Sequence, residues 1–172
     1  MSQPHTFSFP GETAAYREAR NALLEEERRL RRQVETVAAA RRALPPGGAL
    51  KQDYVFAEGS PDLDDTETEV QTHFSALFAP GKDSLIVYSF MYGPDAAAAC
   101  PMCTAFLDSL NANAEHITQH ANLPVVAKAP IHKIRAWARE RGWHRLRLLS
   151  TAGTTYNQDY FGEGPDGASG QA

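Results

Sequence analysis

The chain is short of the residues that would place it in several large classes. It has only two cysteines among 172 residues, Cys100 and Cys103, and a pair so close in sequence cannot staple distant parts of a fold together. A disulfide scaffold is excluded on that ground. No apolar run approaches the eighteen or so residues that a membrane-spanning helix needs, and Met1-Ser-Gln-Pro-His-Thr6 has neither a basic nor an apolar leader region. The expectation is a soluble, cytoplasmic protein with no membrane partner. There is no excess of positive charge either: the net charge is −4, which gives no reason to expect a nucleic-acid partner.

What the chain does have is a composition, 42% hydrophobic and 22% charged, suited to one domain of ordinary size. Its organising stretch runs from Leu85 to Asn111. Leu85 to Phe90 is an apolar run between Gly81-Lys82-Asp83 and Gly93-Pro94, the pattern of a buried strand. After it come Ala96 to Ala99 and then Cys100-Pro101-Met102-Cys103. The segment Thr104 to Ile117 sets Phe106, Leu110 and Ile117 at helical spacing, so Cys100 falls at a helix N-terminus with Pro101 in the first turn.

A thiol in that position meets the positive end of the helix dipole and free backbone N–H groups, both of which favour the thiolate. Cys100 is therefore the expected nucleophile. Cys103, one turn later, can attack a mixed disulfide on Cys100 and release the product. The bland alternative is a pair of inert structural thiols. A metal alternative also exists, because Cys100, Cys103, His116 and His120 reproduce the numerical spacing of a zinc finger. If one helix carries Cys103 through His120, however, Cys103 and His116 lie about 20 Å apart along its axis, too far to share one ion. No metal and no cofactor is expected.

The rest of the chain reads as follows. Glu12 to Arg42 is a long helix in which Tyr16, Leu23, Leu30 and Val37 recur every seven residues, with Leu24 and Val34 beside them. Arg28, Arg29, Arg31 and Arg32 follow Glu25, Glu26 and Glu27 at ion-pairing distance along the helix, which predicts a solvated face. Lys51 to Glu58 is a weak strand with Tyr54 and Phe56 on one side. The acidic group Asp62, Asp64, Asp65, Glu67 and Glu69 lacks calcium-loop spacing and is expected to lead into a short helix bearing Val70, Phe74, Leu77 and Phe78. Leu123 to Ala129 is a strand, Pro130 opens a helix with Ile131, Ile134, Trp137 and Ala138 on one side, Gly142 closes it, and Leu146 to Leu149 is a further strand. Strand, helix, strand, helix, strand implies parallel pairing through right-handed crossovers, hence an α/β fold.

The segments Asp53-Tyr-Val-Phe56, Leu85-Ile-Val-Tyr-Ser-Phe-Met-Tyr-Gly-Pro-Asp95, Cys100-Pro-Met-Cys103, Val126-Ala-Lys-Ala-Pro130, Arg141-Gly-Trp143 and Ser150 to Gly162 resemble the DUF899 family. So does the long charged helix containing Ala19-Arg20-Asn21-Ala22-Leu23-Leu24-Glu25-Glu26-Glu27. This family is a thioredoxin-like group of expected dithiol–disulfide oxidoreductases. The resemblance implies a three-layer thioredoxin-like fold with a central sheet, flanking helices and Cys100 and Cys103 as the redox pair. It also implies a domain from residue 45 to 162, preceded by a helical extension over 1–44 and followed by a flexible tail over 163–172.

Two departures bear on function. The C-terminal hairpin and cis-proline of thioredoxin-like folds have no counterpart, since Pro130 follows a strand and opens a helix. Leu85 to Phe90 would then present an open sheet edge, so a homo-oligomer is expected. Peroxidases of this fold place Pro seven residues and Thr or Ser three residues before the reactive cysteine, where this chain has Gly93 and Ala97. Disulfide exchange is therefore the favoured activity and peroxide reduction the alternative, with a redox-inactive binding module as the third. The expected partners are a disulfide-containing protein or a small thiol, and a reductase that recycles the pair. Tyr92, Pro94, Asp95, Pro101 and Met102 are the expected substrate-cleft residues, and Tyr88 and Trp143 are candidates for its walls.

Overall fold

A computed structural model describes residues 9–164. The readings placed on Met1 to Thr6 and on the tail beyond Gly164 lie outside the described residues. The chain divides into two units, at Ala49 and Leu50. In the first, α1 runs from Ala14–Arg42, with Thr13 Oγ1 accepting the Tyr16 N–H as N-cap and Arg41 and Arg42 in the last turn, where they complement the dipole. Arg28 pairs with Glu25, Arg29 with Glu26 and Arg20 with Glu27 along its surface. None of its residues is buried, and Tyr16, Leu23, Leu30 and Val37 all stand exposed.

The second unit is built on a five-stranded open sheet. Its strands are β1 (Val55–Gly59), β2 (Glu69–His73), β3 (Tyr88–Ser89), β4 (Pro124–Ala127) and β5 (Arg147–Ser150), in the spatial order β2-β1-β5-β4-β3. β3, β4 and β5 are parallel, and β1 is antiparallel to both β2 and β5. α2 (Pro101–Thr118) links β3 to β4, and α3 (Ile131–Arg141) links β4 to β5. Both crossovers advance in the same direction along the sheet, so right-handed connections put both helices on one face. That face carries Leu107, Val125, Ile134, Trp143 and Leu148 in one continuous core.

The opposite face holds Tyr54, Phe56, Phe74, Leu77, Val126 and Leu149, with Tyr156 packed against them. Neighbouring residues in β4 and β5 point to opposite faces, so Val125 and Leu148 serve one core while Val126 and Leu149 serve the other. This explains why Leu123 to Ala127 reads as an apolar run: every residue of β4 is buried. The second core is roofed by the 3-10 turn Phe74–Leu77 and by α4 (Tyr156–Asp159), not by a long helix. A full helical layer on each face, as a three-layer fold requires, is absent among the described residues.

Three further expectations are corrected. The strand over Leu85 to Phe90 contracts to the two residues of β3 plus one bridge from Leu85 to Asn122. Glu69 to His73 is a strand, not the start of a helix, and Val70 is exposed on it. Phe106 is about half exposed, while Leu107, unread in the sequence, is wholly buried on α2. Pro130 and Gly142 bound α3 as expected, with Gly142 at φ 70° in the left-handed C-terminal turn that glycine adopts without strain.

Candidate active site

Cys100 is the N-cap of α2 and Pro101 its first residue, so the sulfur stands where the helix has unpaired amides. Three local bonds fix the cysteine there. Its own N–H donates to the Met91 carbonyl at 3.1 Å, and its carbonyl accepts both the N–H and the hydroxyl of Thr104, each at 2.9 Å. Trp137 Nε1 in turn donates to Thr104 Oγ1 at 3.2 Å, which ties the first turn of α2 to α3. The preceding loop is held by Lys133, whose ammonium reaches the carbonyls of Pro94 and Ala96 at 2.7 and 2.5 Å and sits 5.0 Å from the centre of the Tyr92 ring.

Both cysteines are free thiols, Cys100 partly exposed and Cys103 buried. The Cys100 thiol is held below the ordinary cysteine value, chiefly by the Cys103 backbone N–H, then by the Cys103 thiol, with the Met102 N–H adding to them. Tyr88 lies on the Cys103 side, stacked on Phe106 with ring centres 5.0 Å apart. Burial first, and then its hydroxyl's contact with the Cys103 thiol, push the Tyr88 phenol up.

A cavity of about 600 Å³ opens beside Cys100. Tyr92, Pro94, Asp95 and Pro101 line it together with Cys100, so four of the five expected cleft residues converge. Met102 is not among its walls and is 82% exposed. Trp143 is corrected too: it is wholly buried in the core, where Nε1 donates to Asp108 Oδ1 at 2.8 Å. Sequence reasoning missed Lys128, Asn157 and Glu163, which form the far wall. Lys128 pairs with Glu163, whose side chain is buried. The expected flexible tail over 163–172 is corrected at its first residue, where the burial of Glu163 and its ion pair hold the chain against the domain. Lys128 had left one signal, a single cation in an otherwise apolar strand.

His116 lies inside α2 with Cys103, so the zinc-finger spacing has no hairpin to fold on. Among the described residues no three His, Cys, Asp or Glu side chains are grouped to hold a metal ion. The acidic group behaves likewise as local structure. Asp62 and Asp65 accept backbone N–H groups within their own turns, and the backbone carbonyls of Ser60, Asp62 and Asp65 accept from Arg135.

The unit is thus a mixed α/β domain with an open five-stranded sheet and a cysteine pair at the start of its first crossover helix. A family model, bacterial protein of unknown function (DUF899), matches residues 7–169, and the chain belongs to that family. No curated protein matches the chain, and no solved structure does. No helix among the described residues is long and apolar enough to cross a membrane.

Proposed function

We propose that the protein is a thiol–disulfide oxidoreductase in which Cys100 is the nucleophile and Cys103 the resolving thiol. The observation that carries this reading is the contrast between the two sulfurs: Cys100 caps α2 at the cavity, its thiol lowered by the Cys103 and Met102 amides, and Cys103 is buried behind it. In the reducing direction the Cys100 thiolate attacks one sulfur of a substrate disulfide, forming a mixed disulfide and expelling one thiolate. Cys103, after losing its proton, then attacks Cys100 Sγ, the second substrate thiolate leaves, and the pair ends as an intramolecular disulfide. The substrate gains two electrons and the protein loses two. A dithiol reductant in the cell would restore the pair.

The unit β3-α2-β4-α3-β5 with the dithiol after its first strand supports a thioredoxin-like relationship. No cis peptide bond occurs among the described residues, so the substrate-facing cis-proline of such folds has no counterpart there. Peroxide reduction has less support, because Ala97 puts no hydroxyl three residues before Cys100. β3 is an edge strand carrying half-exposed Ile86 beside it, which supports pairing of two copies at this edge. A dimer by light scattering at micromolar concentration is the expected result, and a monomer removes that part of the reading.

The central test is the Cys103→Ser variant. Mixed with a disulfide substrate it accumulates a mixed disulfide on Cys100, seen by peptide mass spectrometry. An adduct on neither cysteine in the wild type or either variant defeats the proposal, and exclusive trapping on Cys103 in Cys100→Ser reverses the roles.

A further inference from the structure

The far wall of the cavity has a composition that dithiol chemistry alone does not require. Lys128 and Glu163 present a cation and an anion side by side, and the Glu163 side chain is only 3% exposed. Among the described residues the Lys128 ammonium and Glu163 Oε2 engage each other, which sets a cation and a carboxylate together on the cavity lining. Next to them Asn157 Oδ1 is buried with no hydrogen-bond partner. A buried acceptor left open is costly, and because Asn157 belongs to the cavity lining, a donor entering there can satisfy it once the amide turns toward the cavity.

The three groups specify complementary chemistry. Lys128 suits a carboxylate, while Glu163 and Asn157 suit an ammonium or amide N–H. A group bearing both charges, as an amino acid does, satisfies all three at once. Cys100 lies on the same cavity, whose volume of about 600 Å³ is of the order that holds a small ligand rather than the loop of a folded protein.

We propose that this wall is a recognition subsite for the disulfide of a low-molecular-mass thiol carrying an amino-acid-type ammonium and carboxylate, held so that its sulfurs face Cys100. The inference rests on the oxidoreductase reading and names its substrate class. The reaction is the exchange already given: the Cys100–Cys103 dithiol becomes a disulfide, two small thiols leave, and the two thiol protons pass to the products or to water. Lys128, Asn157 and Glu163 bind and orient the substrate and take no part in the electron transfer.

The test uses full-length protein, reduced and then freed of reductant, so that its own dithiol is the only electron donor. Cystine, oxidised glutathione and the uncharged 2-hydroxyethyl disulfide are each added, and the rate of Cys100–Cys103 disulfide formation is measured. Each rate is divided by that of the same disulfide with free dithiothreitol, which removes differences in intrinsic reactivity.

Cystine or oxidised glutathione should retain about a tenfold preference over 2-hydroxyethyl disulfide, the size expected from one or two charge-assisted contacts. Lys128→Met and Asn157→Ala should each pull that ratio toward one, and Lys128→Arg should restore most of it. Lys128→Arg and Asn157→Ala also keep the test open if Lys128→Met, which strands a buried carboxylate, fails to fold. A wild-type ratio near one, a ratio the variants do not move, or faster reaction with insulin than with every small disulfide overturns the subsite while leaving the dithiol chemistry standing. No reaction with any disulfide overturns the oxidoreductase reading itself.

Discussion

Lys133 donates to the Pro94 carbonyl at 2.7 Å, and this bond joins α3 to the loop that delivers Cys100. A second bond to Ala96 at 2.5 Å makes the lysine a two-point clamp. Lys133→Met keeps a side chain of similar length but loses both bonds and the cation over the Tyr92 ring. Stability should fall by about 1–2 kcal/mol, the usual range for charge-assisted bonds that are partly solvated. Because the loop sets where the sulfur meets the Cys103 and Met102 amides, the pH midpoint of Cys100 alkylation should also rise. Lys133→Arg should recover most of both, whereas an unchanged midpoint with lowered stability would confine the lysine to a structural role.

The lowered Cys100 thiol predicts a pH profile. Its alkylation rate by iodoacetamide follows the thiolate fraction, so it should rise with pH to a midpoint below the roughly 8.5 of free cysteine. The same depression stabilises the fold most above the free-cysteine value, and that contribution is lost as pH falls through the lowered one. Cys103→Ala removes one of the two largest causes, the hydrogen bond from the Cys103 thiol, and should move the midpoint upward. A midpoint at or above that of free cysteine in the wild type would contradict the N-cap geometry.

Acid stability should depend on Asp159. Its carboxylate accepts from Lys51 at 2.5 Å, from Thr155 at 2.6 Å and from the Tyr54 hydroxyl at 2.9 Å, which bring its pKa down to about 2, with Lys51 the largest cause. The folded value lies below the unfolded carboxylate value of about 3.9, so the stabilisation is complete above that pH and disappears as pH falls through about 2. Asp159→Asn should lower the melting temperature at pH 7 and flatten its dependence between about pH 4 and 2. The Tyr54 phenol, raised to about 12 by burial first and by Asp159 second, should titrate lower in the same variant.

Arg135 and Gly59 form a close approach that tolerates no side chain. A Cβ on Gly59 would lie 2.4 Å from Arg135 Cδ. Arg135 is 5% exposed, and its guanidinium donates to the Ser60 carbonyl, to Asp62 O at 2.6 Å and to Asp65 O at 2.7 Å. Arg135→Leu should cost about 3 kcal/mol by leaving those carbonyls without their donor, and Gly59→Ala should cost a similar amount by displacing it. Urea titration of both variants checks this, and additive losses in the double variant would show that the two changes do not act through the same contact.

The elements legible in the sequence were those whose signals are local. α3 lies between Pro130 and Gly142, β4 is a continuous apolar run, and the N-terminus of α2 is marked by a cysteine followed by proline. β2 was not legible because Val70, Phe74 and Leu77 recur at helical spacing. Its state is decided by antiparallel pairing with the preceding strand β1, with Val70 opposite Glu58, and that pairing leaves no mark in the spacing of its own side chains. The near half of the cavity could be read because Tyr92 to Pro101 is one short stretch. Its far half could not, since Lys128 meets Asn157 and Glu163 only after the fold has brought two separate segments together.

The burial of Glu163 against Lys128 has a consequence for biosynthesis. A nascent chain that has reached its cysteines and formed the first turn of α2 has the amides that lower the Cys100 thiol, but not yet the Glu163 side of the cavity. The cavity beside Cys100 is complete only when position 163 has been made and has folded back, so under the proposed function the order of synthesis would separate making the sulfurs from enclosing the site that chooses their substrate.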